Sequence, residues 1–235
     1  MAGLGTGIGG LLVFLVRKVS PRFVDCSLGF AAGVMLAATF FSLLVPSIEI
    51  GGIWRTTAGI LLGTIFFTLA EKATPHLHRV TGQKGPTTQL SKLWLFIFAI
   101  AIHNFPEGIA VGVGFAGGDM KAGLVLSIGI LLQNVPEGLA VALPLLKESS
   151  TKRKAFLIAL LTGLVEPVGG IMAVSITSVA IFLLPYGLSF AAGAMLFVIS
   201  EEIIPETHSR GYAREATLGL IGGFILMMIL ESLIG

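Results

Sequence analysis

Apolar positions along the chain gather into eight runs separated by charged or turn-rich breaks, near residues 2–16, 24–45, 51–70, 93–115, 122–146, 155–180, 186–206 and 216–235. About 20 apolar residues rising 1.5 Å each cover a hydrocarbon core of about 30 Å, so the runs predict membrane-crossing helices. The first run, before Arg17, reaches only roughly 24 Å. It predicts a tilted or locally thinned crossing, or a chain that starts inside a longer one. It lacks the basic start and small-residue cleavage site of a secretory signal. The longest break, 71–91, is polar and rich in Gly, Thr, Lys and Pro, and reads as a loop. Its His76 and His78 read as an incidental solvated pair before a metal sensor.

Composition supports the same class. The 235 residues are 54% hydrophobic and only 12% charged, with a mean hydropathy of +0.95; a soluble domain carries about 25% charged residues. The net charge of +2 comes from cations scattered through short loops, which points away from nucleic acid. A single cysteine, Cys26, excludes an intramolecular disulfide and a cysteine-based zinc cluster.

Charge also orients the runs. Arg17, Lys18, Arg22, Lys72, Arg79, Lys84, Lys92, Lys147, Lys152, Arg153, Lys154, Arg210 and Arg214 follow runs 1, 3, 5 and 7, against only Arg55 and Lys121 on the other side. The positive-inside rule places the rich side in the cytoplasm and both termini outside. A long-range repeat adds symmetry. Leu28 to Leu36 (LGFAAGVML) matches Leu188 to Leu196 (LSFAAGAML), and Pro46 and Pro205 follow each copy. Five runs separate the copies, so they point in opposite directions, as in an inverted-repeat transporter with a three-plus-two-plus-three layout.

Between the copies, His103-Asn-Phe-Pro-Glu-Gly108 and Gln133-Asn-Val-Pro-Glu-Gly138 interrupt neighbouring runs. Ionisable side chains inside a bilayer cost at least about 2.5–3.5 kcal/mol at a helix centre, so they usually mark a site. A lone proline there would read as a packing kink; paired with a glutamate it reads as part of a site. His103 and Glu107 stand one turn apart on one helix face, as do Gln133 and Glu137. Pro106 and Pro136 release the carbonyls of Ile102 and Leu132, which need a partner at membrane depth. At 1.5 Å per residue, Glu166 in run 6 and Met35 in run 2 reach the same level, as do Asn104 and Asn134. Carboxylates, an imidazole, amide oxygens and a thioether form a set suited to Zn²⁺, Fe²⁺, Mn²⁺, Co²⁺ or Cd²⁺ rather than Na⁺ or Ca²⁺.

These motifs resemble those of the ZIP family of divalent-metal transporters, nearest its prokaryotic GufA-like branch, and the likeness runs the length of the chain. The resemblance implies uptake of zinc, or of Fe²⁺, Mn²⁺, Co²⁺ or Cd²⁺, into the cytoplasm by a homodimer in the bilayer, through a two-metal site at mid-membrane. His103, Gln133, Glu137 and Met35 look like ligands of one ion. Asn104, Glu107, Asn134 and Glu166 look like ligands of the other, with Glu107 and Glu137 bridging. Runs 1, 4, 5 and 6 are expected to slide against runs 2, 3, 7 and 8.

The sequence departs from the family pattern at Asn134, where some relatives carry aspartate, and at Glu201, where some carry histidine. Glu201 and Glu202 look like an exit way station and, with Ser42, make up the secondary pathway. Glu206 and His208 read as solvated at the cytoplasmic end of run 7, and Glu231 lies deep in run 8 with no visible partner.

Other classes fit less well. No Gly-x-x-x-x-Gly-Lys-Ser/Thr loop supplies nucleotide hydrolysis. A proton- or sodium-coupled carrier of a small anionic solute would want an intramembrane Arg or Lys. A metal-dependent intramembrane hydrolase would want His-Glu-x-x-His, which is absent. No enzyme, nucleotide or organic cofactor is therefore expected.

Overall fold

The computed structural model describes residues 1–15, 19–78, 82–86, 88, 92–147 and 151–234. Arg17, Lys18 and Arg79 of the charge count lie outside these residues, as do the side chains of His76 and His78. Among the described residues the fold is helical apart from one small hairpin. In order come α1 (Leu4–Leu15), α2 (Pro21–Ala38), α3 (Val45–Ala73), α4 (Lys92–Ala116) and α5 (Met120–Lys147). They are followed by α6 (Lys152–Gly163), α7 (Val165–Val179), α8 (Leu184–Val198), α9 (Ile204–His208) and α10 (Ala213–Ile234). Six helical segments are long and apolar enough to cross a membrane; α1 is apolar but shorter.

Local chemistry sets several boundaries. Ser20 accepts a hydrogen bond from the Phe23 amide (3.2 Å) with Pro21 in the first turn, and Thr151 accepts one from Lys154 (3.2 Å). Asp119 does the same for Lys121 (2.9 Å) and Ala122 (3.1 Å). Each satisfies an orphan N–H at a helix start.

Two parts of the expected layout differ. The break expected between residues 45 and 51 is helical: Pro21–Ala73 is one run of 53 residues, non-helical only at Gly52 (φ 74°). Glycine alone enters that left-handed region without strain. Within the polar 71–91 stretch, α3 continues to Ala73, and His76–His78 (β1) pairs antiparallel with Gly82–Lys84 (β2), His76 opposite Lys84.

A π-helical stretch, Thr39–Leu44, follows α2, and another, Ile199–Ile203, follows α8. Each begins four residues past the methionine of its repeat copy, Met35 or Met195, and ends just before the proline, Pro46 or Pro205. Such wide turns concentrate at functional sites.

Glycines bring the helices together in two sets. A Cβ on Gly9 would strike the Val135 carbonyl and one on Gly138 the Thr6 carbonyl, joining α1 to α5. A Cβ on Gly169 would strike the Phe105 carbonyl and one on Gly108 the Glu166 carbonyl, joining α7 to α4. Elsewhere Gly33 meets Leu220 and Gly223 meets Phe30 between α2 and α10, while Gly63 meets Phe190 and Gly193 meets Ile60 between α3 and α8. These backbone-on-backbone approaches stay within α1, α4, α5, α6 and α7, or within α2, α3, α8 and α10. Between the sets the glycines meet side chains: Gly129 meets Met227, Gly187 meets Val113, and Gly117 meets Leu184.

The apolar core is in two parts. One cluster takes Ile109 and Val113 from α4 and Val125 and Ile130 from α5; the other takes Ile97 from α4 and Leu139 and Leu145 from α5. His103–Glu107 and Gln133–Glu137 fall between them. The fold therefore holds a polar layer between two apolar ones.

Candidate metal centre

Asn104, Glu107, Gln133 and Asn134 are fully buried, and His103, Glu137, Glu166 and Glu202 nearly so. Helices α4 and α5 run on through Pro106 and Pro136, so their motif faces keep one turn's spacing between His103 and Glu107 and between Gln133 and Glu137. Glu166 joins from the first turn of α7, just past the step at Leu164. Its helix can approach because Gly108 has no side chain to hold it off.

Hydrogen bonds tie the layer together. Gln133 Nε2 donates to Glu107 Oε1 (2.6 Å) and lies 3.4 Å from Asn134 Oδ1. Asn134 Nδ2 donates to both Glu166 Oε1 (2.5 Å) and the Ala2 carbonyl (3.1 Å). His103 Nε2 pairs with Glu202 from the second π stretch. Both Glu137 and Glu166 lie within electrostatic reach of Glu107.

Among the described residues, six oxygens of the layer nonetheless find no hydrogen-bond partner: Asn104 Oδ1, Glu107 Oε2, Gln133 Oε1, both Glu137 Oε atoms and Glu166 Oε2. An unmet buried polar atom costs about 1–3 kcal/mol, and more when charged. Packing does not account for so many in one layer, whereas a cation would use them.

Among the described residues, no three His, Cys, Asp or Glu side chains stand close enough to hold one ion as they are placed. The amides explain the spacing, since Gln133 and Asn134 put N–H groups where an ion would put positive charge. A half-turn of a terminal amide exchanges its N–H for its oxygen, so the same residue can pacify a carboxylate or bind a metal. Turning Gln133 would give up its contact with Asn134 Oδ1 as well as its bond to Glu107, and Asn134 is held by Ala2.

The other expected residues divide. Met35 is buried in the larger apolar cluster, and its carbonyl accepts from Thr39 (2.8 Å). Ser42 donates to Glu231 Oε2 (2.9 Å), so Glu231 has a partner that the sequence did not show. Glu202 is part of the buried layer through His103. Glu201, one residue before it, is half-buried in the same π stretch. Glu206 is bound to Arg210 (2.6 Å) rather than simply solvated. His208 Nε2 lies 3.3 Å from Thr217. The acceptor at Ala2 is a main-chain group, which no side-chain pattern signals.

The model of a family described as ZIP zinc transporters matches residues 80–231. The chain belongs to the ZIP family. It is 42% identical to the zinc transporter ZIPB of Bordetella bronchiseptica, over 98% of this chain and 78% of that protein. It is 41% identical to the zinc transporter GufA of Myxococcus xanthus, over 100% of this chain and 96% of the relative. To the zinc transporter ZupT of Corynebacterium aurimucosum it is 35% identical over 97% and 92%. Both ZIP motif blocks lie inside the matched segment, as do Glu166, Glu201 and Glu202. This ZIP chain is therefore a multi-pass membrane protein of a transporter family, with no enzymatic role.

Proposed function

We propose that the protein carries divalent transition-metal ions, zinc foremost, across the prokaryotic cytoplasmic membrane into the cell. The ion passes through a site at mid-membrane made by α4, α5 and α7. The observation that carries this reading is the set of six unpartnered buried oxygens between two apolar clusters. The donor set, carboxylate and amide oxygen with imidazole beside it, suits Zn²⁺ and leaves room for Fe²⁺, Mn²⁺, Co²⁺ and Cd²⁺.

The Asn134–Glu166 bond favours grouping those two with Asn104 and Glu107 around one ion. His103, Gln133, Glu137 and Met35 then hold a second, and Glu107 and Glu137 lie between.

Eight crossings follow if Pro21–Ala73 crosses twice. Its 53 residues would extend about 80 Å, more than twice the hydrocarbon thickness, and Gly52 supplies the break. Alternating access is by one glycine-joined set sliding on the other, a reading supported by the side chains that the glycines meet between them. The pairing of α1 with α5 and α7 with α4, and of α2 with α10 and α8 with α3, supports an inverted repeat. The cytoplasmic side is assigned by the cation count and the homodimer by the family likeness.

Radiometal uptake into proteoliposomes tests the reading. Glu107→Ala and Glu137→Ala should each cut zinc uptake at least about tenfold, as expected for removing a ligand that contributes 1.4 kcal/mol or more. Undiminished uptake in both variants would end it.

A further inference from the structure

Beyond His103 and Glu202 the structure contains a small cavity of about 30 Å³, lined by His103, Glu137, Glu202, Glu206, Leu28 and Ile100 among others. Its size is about the share of volume one water takes in the liquid. It starts at the metal centre and reaches Glu206 on α9.

Glu206 is held by an ion pair that the transport site does not use. Arg210 Nη2 donates to Glu206 Oε1 (2.6 Å), and Nη1 of the same guanidinium donates to Asp25 Oδ1 on α2 (2.5 Å). Asp25 is fully buried, and its second oxygen, Oδ2, has no partner. Glu206 is the more accessible carboxylate, 22% exposed against 0% for Asp25. The two carboxylates therefore flank one cation at the end of a cavity leading from the site.

We propose that Asp25 and Glu206 are the last cation-binding pair on the exit path, and that Arg210 is a tethered cation occupying it. The departing divalent ion displaces the guanidinium from Glu206 while Asp25 keeps it tethered. When the ion leaves, Arg210 returns and closes the pair to cations from the cytoplasm. The chemistry favours arginine, because its fork bonds two carboxylates at once and never loses its charge. Without it, the two carboxylates would hold a divalent ion rather than release it. This inference rests on the inward transport of metal proposed above.

The test counts zinc ions bound per chain by equilibrium dialysis of the purified full-length protein, alongside zinc uptake into proteoliposomes. Arg210→Gln should retain one more ion per chain than the parent and take up zinc about five- to tenfold more slowly, the slowing corresponding to about 1 kcal/mol or more. Adding Glu206→Gln should abolish the extra ion. If Asp25→Asn abolished it and Glu206→Gln did not, Arg210 would merely balance a buried charge and the proposal would be overturned. Should Arg210→Gln fail to fold, Glu206→Gln alone still decides: slower uptake with no extra ion supports the proposal, and parental uptake overturns it. A parent that moves no metal would overturn both readings. A transporting parent matched in count and rate by Arg210→Gln overturns this one alone.

Discussion

Asn134 uses a single amide nitrogen to satisfy two acceptors, Glu166 and the Ala2 carbonyl, which turns its oxygen toward Gln133. The reverse orientation would set oxygen against both. An aspartate at 134 would do that permanently, adding a carboxylate beside Glu166 and losing the bond to Ala2. Asn134→Asp should therefore lower the metal-free stability by about 1–3 kcal/mol, the cost of a buried polar partner left unmet. Zinc should restore more of it than it adds to the parent. Thermal unfolding in detergent, with chelator and then with zinc, measures both. Asparagine here is thus a locked orientation as well as a missing charge.

At the scale of helices, the glycine contacts set what each element tolerates. A side chain at Gly138 meets the main chain of Thr6, which cannot rotate away, so Gly138→Val should separate α1 from α5. Overpacking of this kind costs about 1–3 kcal/mol. Gly222 on α10 has nothing within 4 Å, and Gly222→Ala should stabilise by up to about 1 kcal/mol through helix propensity. A paired thermal-stability measurement should show the two shifts in opposite directions.

The same contacts mark how far the sequence could be read. The all-helical, membrane-crossing class and the motif spacing are legible because hydrophobicity and a 3.6-residue turn are local properties. His103 and Glu107, and likewise Gln133 and Glu137, lie on α4 and α5 as that spacing requires. The Ser42–Glu231 bond joins residues 189 apart, and Arg210 meets Asp25 across 185. No periodicity encodes such pairs. The π stretches were hidden for another reason: the same apolar residues suit an α turn or a wider one. The helical continuity through Pro46 was missed because proline in a first helical turn resembles proline in a loop.

For the whole molecule, the proposed orientation puts the cation-rich face in the cytoplasm. Met120, 64% exposed at the start of α5, should face outside, and Arg153 at the start of α6 should face inside. In a Cys26→Ala background, Met120→Cys should react with an impermeant maleimide on intact cells, and Arg153→Cys only after permeabilisation. The opposite pattern would invert the orientation and make the protein an exporter.

Main chain rests on main chain inside each helix set, while Met227, Val113 and Leu184 meet the glycines across the seam. Backbone contacts are rigid, but a thioether with three rotatable bonds yields. If one set slides on the other as proposed, the seam would act as a bearing whose friction is set by side-chain softness. Replacing Met227 with a stiff β-branched residue would leave each set intact and retard only their relative travel, so turnover could be tuned without altering what the centre binds.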